Sequence, residues 1–386
     1  MQVTPQRSVM LGIPVDHVNM GDALDRIMDM VDLYEGDRKA RLVATANVDF
    51  IVNSHDSKHG ETAEELRSIL RTADMVTADG MPLVWLSQIL GQPLEERVTG
   101  ADMVPALAEK AAREGKSIYF FGGIDGSAKR TAMILKDRYP NLKVAGYSAP
   151  MIDLNDEIEN KVEIARINIT NPDILLIALG NPKQEIWFSR FKKYIKVPVS
   201  MGIGGTFEFI SGVTSRAPDW MQKTGLEWIY RMSQDPKRLI RRYVKGLFTF
   251  SRMTLPLILI NSMVTRFFSP PTAQSDQRGA NVLETGEDTR EIRRSVRAIN
   301  GLRAELDVVN GVNILTLDFN QITAMSSSDI SKFMTVFLEV QRMNMLCLVS
   351  GVRWLPRLIF KLYRIHDLLD AVALKVVDDL ADKQKV

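Results

Sequence analysis

Short apolar runs of strand character alternate with helical segments over the first two-thirds of the chain, and this alternation constrains the fold more than any other feature. The predicted strands cover residues 41–46, 75–78, 117–121, 143–147, 173–179 and 197–203. Strands that alternate with helices form a mostly parallel sheet with helices on both faces. We therefore predict an α/β fold with a Rossmann-like, mostly parallel sheet.

The clearest transition from strand to helix lies within residues 173–190, which read DILLIALGNPKQEIWFSR. The apolar strand stops at a Gly-Asn-Pro turn, and a helical segment follows. In an open parallel sheet, the turn after a strand lies in the ligand crevice, which places Lys183 and Gln184 where binding residues are expected. The alternative is an ordinary turn followed by a solvated first turn of helix.

Four further strands end in residues that a parallel sheet would bring to the same edge. They are TAN at residues 45–47, Asp79 with Gly80, Gly122 with Gly123, and GIGG at residues 202–205. The last segment resembles a phosphate-binding loop, because Gly204 and Gly205 let backbone N–H groups approach an anion. It is not the dinucleotide fingerprint, whose third glycine would fall at Phe207, so a nicotinamide or flavin enzyme is disfavoured.

Composition indicates a globular protein of two or three domains in a reducing compartment. The chain has 386 residues, 45% of them hydrophobic, and its single cysteine, Cys347, lies in an apolar run. The N-terminus lacks an apolar segment of signal-peptide length, so we expect a cytoplasmic protein. No Asp-x-Asp pair and no Walker A loop occur in the sequence. We therefore predict no metal site, no cofactor and no nucleic-acid partner.

Eight ordered blocks of sequence connect these strand ends with a known family. The blocks are TANVDF (45–50), ADGMPL (78–83), ERVTGADM (96–103), FFGG (120–123), PDILLIALGNPKQE (172–185), GIGGTFEFISG (202–212), RAPDWM (216–221) and GLEWIYRMSQDPKRLIRRY (225–243). Together they resemble the WecG/TagA/CpsF family of bacterial glycosyltransferases. The resemblance implies an inverting, metal-independent transfer of N-acetylmannosamine, its uronic acid or a hexose. The donor would be a UDP-sugar and the acceptor a polyprenyl-diphosphate-linked sugar of surface or exopolysaccharide biosynthesis.

The resemblance also implies roles for individual residues. The general base that takes the proton of the acceptor hydroxyl would be Asp79, although Asp79 could simply be a helix N-cap. Thr45 and Asn47 would lie near the sugar and the base, and Arg97 and Gln184 would contact the donor. Substrate contacts that we predict from strand ends, glycine-rich loops and the basic strip, together with the family position of Glu208, are Gly122, Gly123, Lys183, Gly204, Gly205, Glu208, Arg231, Arg238 and Arg241. Arg97 could instead form a surface ion pair with Glu95 or Glu96. Many family members have Asp where this chain has Glu208, which leaves the contact of Glu208 open.

The chain beyond the catalytic domain, which we place at residues 1–224, divides into three predicted parts. Residues 225–268 combine a basic strip with an apolar run that is interrupted by Arg252, Pro256 and Asn261. Such a helix is expected to lie on an anionic membrane surface, since a spanning helix disfavours these residues. A helix buried in protein is the alternative. We expect a peripheral protein on the inner face of the cell membrane, followed by a linker at residues 269–290.

Residues 291–386 form the last predicted domain. Strands are predicted at residues 312–319 and 345–349, and helices at residues 328–342 and 355–369. Residues 315–352 resemble a STAS domain, which implies a protein partner at the helix after Ser326, Ser327 and Ser328. In that family a serine after Asp-Ser can be phosphorylated, but the aspartate is missing here. Two alternatives to the enzyme are a nucleotide-sugar-sensing regulator that signals through this domain and a purely structural membrane scaffold.

Overall fold

A computed structural model describes most of the chain: residues 6–56, 58, 60–124, 126–224, 226–234, 236–267, 290–299, 301–309, 312–343 and 345–368. The chain divides into two compact units. The sheet unit comprises Val15–Trp85 and Leu94–Phe250, and the terminal unit comprises Met1–Pro14, Leu86–Pro93 and Ser251–Val386. The domain boundaries at residues 224, 268 and 290 stay predictions. Of the predicted linker, residues 269–289 lie outside the described residues.

Six parallel strands form the centre of the sheet unit. After two short strands, β1 (Arg7–Met10) and β2 (Ile13–Asp16), come β3 (Arg41–Ala46), β4 (Met75–Ala78), β5 (Ser117–Gly122), β6 (Lys143–Ser148), β7 (Ile174–Ala178) and β8 (Val199–Gly202). The sheet has the order β4-β3-β8-β7-β5-β6, and its neighbouring strands pair in parallel. The predicted fold class is confirmed. The ends of the six predicted strands differ from the observed ones by no more than two residues.

Helices, some of which begin at a residue whose side chain caps them, lie between and after these strands in the chain. They are α1 (Met20–Asp37), α2 (Val48–Asn53), α3 (Gly60–Thr72), α4 (Met81–Ile89), α5 (Gly100–Glu114), α6 (Ser127–Arg138), α7 (Glu157–Ile169), α8 (Lys183–Phe191), α9 (Thr206–Ile210), α10 (Asp219–Lys223), α11 (Glu227–Gln234) and α12 (Pro236–Phe267). Asn19 caps α1 in a capping box with Asp22. Thr99 caps α5, which ends at the left-handed Gly115.

The core of the sheet unit lies where helices cover the central strands. All five residues of β7 are buried, as expected for a parallel strand that is covered on both faces. The rings of Phe121 on β5 and Trp187 on α8 pack with their centroids 4.8 Å apart. This packing holds α8 against the sheet, and α8 begins at the turn that carries Lys183 and Gln184.

The topology brings all five predicted strand ends to one edge. The strands β4, β3, β8, β7 and β5 are consecutive neighbours, so their carboxyl ends follow one another along the sheet. β5 connects to β6 on one side, while β7 connects to β8 on the other side. The ends of β5 and β7 therefore form a topological switch point, where open α/β sheets bind ligands.

The terminal unit contains a smaller, three-stranded sheet. β10 (Val312–Asp318) pairs antiparallel with β9 (Arg303–Val309) and parallel with β11 (Leu346–Ser350). Its helices are α13 (Arg290–Arg297), α14 (Ser327–Arg342) and α15 (Trp354–Leu362). β9 was not predicted. The helix predicted over residues 355–369 ends early, because Arg364 takes a positive φ of 58° and breaks the helical path.

Gly122 is a position where a side chain would disturb the sheet. Its φ is +93°, and an added Cβ would lie 2.7 Å from the Ala178 carbonyl oxygen. We expect Gly122→Ala to cost about 1–3 kcal/mol of stability and to lower the thermal midpoint. Gly36→Ala is the matched control, since no atom lies within 4 Å of an added Cβ in this helix. Equal midpoints for the two variants would contradict the close packing of β5 on β7.

Candidate active site

Asp79 directly follows β4, and hydrogen bonds from the protein fix its backbone and its carboxyl group. Its backbone N–H donates to the Ala46 carbonyl over 2.7 Å, and its carboxyl accepts a hydrogen bond from the N–H of Gly100, the first residue of α5. Burial raises the pKa of Asp79 to about 6, although Arg231 and Arg97 oppose the rise. A carboxyl with this pKa is mostly ionised at pH 7 and still basic enough to accept a proton.

Arg97 and Arg231 approach Asp79 as part of a larger group of charges. Arg97 Nη1 donates to Glu227 Oε2 over 3.1 Å, and Arg231 Nη2 donates to Glu227 Oε1 over 2.9 Å. Burial would raise the pKa of Glu227, but Arg231 and Arg97 hold it below its ordinary value. Arg97 thus pairs with Glu227 and, over 3.7 Å, with Asp102, whereas the alternative partners Glu95 and Glu96 bond to other groups.

Arg216 completes this arginine cluster, which we define as Arg97, Arg216 and Arg231. Its Nη1 lies 2.6 Å from Asp102 Oδ1. Buried guanidinium atoms in the described part of the chain that lack a hydrogen-bond partner include Nε and Nη2 of Arg216 and Nε of Arg231. Because a guanidinium group binds phosphate with several N–H donors, these atoms suit an anionic ligand beside Asp79.

The end of β3 holds Thr45 and Asn47. Thr45 is buried, and its hydroxyl donates to the Gly202 carbonyl over 3.0 Å, which joins β3 to the end of β8. Asn47 Oδ1 caps α2 by accepting from the N–H of Asp49 over 3.0 Å. An added Cβ on Gly80 would lie 3.8 Å from Cβ of Asn47, so the β3 and β4 ends are close.

Lys183 and Gln184, at the start of α8, make hydrogen bonds within the protein. Gln184 is 1% exposed, and its Oε1 accepts from the N–H of Gly204 over 3.1 Å. Lys183 donates to the Ile152 carbonyl. In this structure Gln184 therefore positions the loop after β8, and its predicted contact with a donor substrate stays a prediction.

Glu208 links the glycine-rich loops after β5 and β8. Its Oε1 accepts from the N–H of Ile124 over 3.0 Å and from the hydroxyl of Ser127 over 3.1 Å. An added Cβ on Gly123 or Gly205 would lie 3.3 Å from one of its carboxylate oxygens. The longer glutamate side chain thus reaches from α9 to the loop after β5, where it binds backbone and hydroxyl donors.

The remaining predicted arginines lie on α12. Arg241 is exposed, and Arg238 belongs to the same helix. Their predicted contacts with substrate stay predictions. Arg242, which was not predicted, donates to Asp49 Oδ2 over 3.1 Å at the start of α2. Among the described residues, no group of three or more His, Cys, Asp or Glu side chains is placed to hold a metal ion.

The structure thus gathers Asp79, Arg97 and Arg231 at one place and joins the loops around it. Sequence reasoning missed Arg216, a member of the arginine cluster, and Asp102 and Glu227, the acids that pair with the cluster. The signal that could have found them is their position inside the blocks ERVTGADM, RAPDWM and GLEWIYRM. A charged residue in such a block is a candidate for the same site.

Comparison with known proteins identifies the family of the chain. The profile of the glycosyl transferase WecG/TagA/CpsF family matches residues 8–260, more than half of the chain. The chain belongs to this family and is a glycosyltransferase, as the sequence blocks predicted.

Its relatives include curated proteins named N-acetylglucosaminyldiphosphoundecaprenol N-acetyl-beta-D-mannosaminyltransferase. The Bacillus spizizenii protein is 29% identical over 205 residues, which are 53% of this chain and 76% of the relative. The Bacillus subtilis protein is 33% identical over 170 residues, 44% of this chain and 64% of the relative. The Staphylococcus aureus protein is 29% identical over 232 residues, 60% of this chain and 86% of the relative.

Proposed function

We propose that the protein transfers N-acetylmannosamine, its uronic acid or a hexose from a UDP-sugar to a polyprenyl-diphosphate-linked sugar, with inversion and without an essential metal ion. The product would serve bacterial surface or exopolysaccharide biosynthesis. The observation that carries the proposal is the carboxyl of Asp79 beside the arginine cluster. The names of the relatives, which state transfer of an N-acetylmannosaminyl group to a diphosphoundecaprenol-linked sugar, support it.

The transfer needs a base and a stabilised leaving group. The acceptor hydroxyl attacks the anomeric carbon while Asp79 takes its proton, so a new C–O bond forms on one side of the sugar. The bond between the anomeric carbon and the diphosphate breaks on the opposite side, which inverts the anomeric centre. The UDP that leaves carries negative charge, and the arginine cluster and the N–H group of Gly205 would stabilise it.

This mechanism favours an enzyme that transfers a sugar over a regulator that senses a nucleotide sugar. A nucleotide-sugar-sensing regulator would also need cations for the diphosphate, but it has no use for a carboxyl with a raised pKa at an acceptor site. Membership of a glycosyltransferase family favours the enzyme as well. We therefore do not propose the regulator or the structural scaffold.

The direct test of the proposed reaction measures UDP release. The full chain is incubated with UDP-N-acetylmannosamine, its uronic acid and UDP-hexoses, each with a short polyprenyl-diphosphate-linked N-acetylglucosamine. We expect release that depends on both substrates and persists in EDTA, because protein cations carry the role of a metal ion. A strict requirement for added magnesium or manganese would contradict metal independence, and no release with any donor would contradict the proposed reaction.

Replacement of the base is the second test. Asp79→Asn keeps the shape of the side chain but cannot accept the proton. Turnover should therefore fall by a factor of roughly 10²–10⁴, while the affinity for UDP should be unchanged. Asp137→Asn on the exposed face of α6 is the control and should change neither value. Turnover of Asp79→Asn near that of the control would reject the assignment.

A further proposal is that α12 binds an anionic membrane surface, with the protein on the inner face of the cell membrane. The segment Leu239–Phe267 is long and apolar enough to span a membrane by length and composition. Its exposed apolar side chains recur at helical spacing, which favours one apolar side; they are Ile240, Val244, Leu247, Phe248, Leu255, Leu259, Met263 and Phe267. The exposed Arg241, Lys245 and Arg252 favour an interfacial position beside anionic head groups.

Vesicle binding tests this membrane proposal. Phe248 is 70% exposed on α12, and Ile169 is 83% exposed on α7. We expect the protein to sediment with vesicles that contain phosphatidylglycerol, and Phe248→Asp to weaken this binding several-fold because it places a carboxylate in the apolar side. Ile169→Asp introduces the same charge on another helix and should bind as the unchanged protein does. Equal binding by both variants would contradict a role for α12.

The terminal domain is proposed to be a STAS-like module for a protein partner. Ser326 caps α14 in a capping box with Asp329, whereas Ser327 is buried and donates to Asn261 Oδ1 over 2.6 Å. Ser328 is exposed. Of these three serines, Ser328 is therefore the exposed one at the start of α14. We propose that a partner docks there.

Removal of the terminal domain tests whether this domain serves only to dock a partner or also supports catalysis. The Ser331 hydroxyl accepts from the N–H of Val9 over 3.2 Å, and Ser327 bonds to Asn261. Residues 1–268 alone should therefore unfold at a lower temperature than the full chain. Below that temperature they should still transfer sugar to a soluble acceptor. Loss of transfer by a folded truncated chain would show that the module supports catalysis.

A further inference from the structure

Glu185 is a buried acid that the proposed reaction does not use. It lies in the first turn of α8 and is 0% exposed. A glutamate is rarely fully buried without a charged partner or a dense set of hydrogen bonds. The contacts of Glu185 therefore need an explanation beyond the packing of α8.

The carboxyl of Glu185 is the centre of a chain of amide hydrogen bonds. Oε1 accepts from Gln184 Nε2 over 2.6 Å, and Oε2 accepts from Asn181 Nδ2 over 3.2 Å. Gln184 in turn accepts from the N–H of Gly204, and Asn181 Oδ1 accepts from Asn53 Nδ2 over 2.7 Å. The chain thus joins the loop after β7, the loop after β8 and the end of α2.

The backbone of β8 lies directly against this network. An added Cβ on Gly202 would lie 2.6 Å from Gln184 Nε2 and 2.7 Å from Glu185 Oε1. The glycine therefore lets the carboxyl and amide groups reach the end of β8. A shift of the Glu185 carboxyl would move Gln184 and with it the N–H of Gly204.

We propose that Glu185 is a positioning residue for sugar transfer, because its carboxyl orients Gln184 and Asn181 and so fixes the loop that meets the diphosphate. This inference rests on the proposed function. Glu185 acts through Gly204 and does not touch the reacting atoms. Fully connected buried polar networks give such fixed geometry, which the stabilisation of a leaving group requires.

Both carboxyl oxygens of Glu185 accept amide hydrogen bonds in this network, which is the arrangement of a carboxylate. Burial raises the pKa of Glu185 to about 8, and the hydrogen bonds from Gln184 and Asn181 oppose the rise. Other charged side chains on α8 and on the nearby α2 and α3 are Lys183, Arg190, Asp49, Glu61, Glu64, Glu65, Arg67 and Arg71. Lys183 bonds to a carbonyl and Arg190 to Glu65, and burial rather than a charge sets the pKa. Because a proton on Glu185 would take one acceptor from the network, the carboxylate is the form that fits these hydrogen bonds.

Two variants and one control test the inference through UDP release. Glu185→Gln keeps the size of the side chain but turns one acceptor into a donor, so kcat/KM should fall about 10- to 100-fold. Glu185→Asp keeps a carboxylate with two acceptors and should retain more of kcat/KM than Glu185→Gln. Glu65→Gln removes a carboxylate from the surface of α3 and should leave kcat/KM unchanged.

The outcomes separate this inference from the proposed function. No release of UDP by the unchanged protein would reject the function itself. Release by the unchanged protein, with Glu185→Gln equal to Glu65→Gln, would reject only the role of Glu185. If Glu185→Gln does not fold, Asn181→Leu decides, because it removes the donor to Glu185 Oε2, and kcat/KM equal to that of Glu65→Gln would also overturn the inference.

Discussion

The parallel direction of the six central strands is the constraint on which the site depends. In a parallel sheet every strand ends at the same edge, so residues far apart in sequence meet without long loops. Thr45, Asp79, Gly122, Gln184 and Gly204 all follow or end neighbouring strands. The hydrogen bond from Thr45 to the Gly202 carbonyl and the bond from Gly204 to Gln184 then tie adjacent ends together.

Burial and positive charge act on Asp79 in opposite directions. Removal from water disfavours the carboxylate and raises its pKa, while Arg231 and Arg97 favour the carboxylate and limit the rise to about 6. Without the arginines its pKa would be higher and less of the acid would be ionised at neutral pH. Without burial its pKa would be lower and the carboxylate a weaker base. Glu227 pairs with Arg97 and Arg231 and so offsets part of their charge.

The sequence could predict the sheet and its functional edge because five of the six strands, all but β6, are largely apolar and lead into Gly, Asn or Asp. β7 is the clearest case, since all of its residues are buried. β9 was missed because RAELDVV mixes charged and apolar residues at a strand that pairs on one side with β10. The partners of Arg97 were also missed, since Glu227 lies 130 residues away in the chain. Pairing at that distance is set by the tertiary fold and leaves no local pattern.

The most direct test of the account is the pH dependence of kcat/KM in the unchanged protein and in Arg231→Met. If Asp79 is the base, kcat/KM should fall tenfold per pH unit below about pH 6, the pKa that burial and the arginines give its carboxyl. Arg231 lowers this pKa, so its removal should move the midpoint to a higher pH. Arg190→Met on α8, whose guanidinium pairs with Glu65, should leave the midpoint unchanged. A midpoint that Arg231→Met does not move, or no acid decline at all, would contradict the role of Asp79.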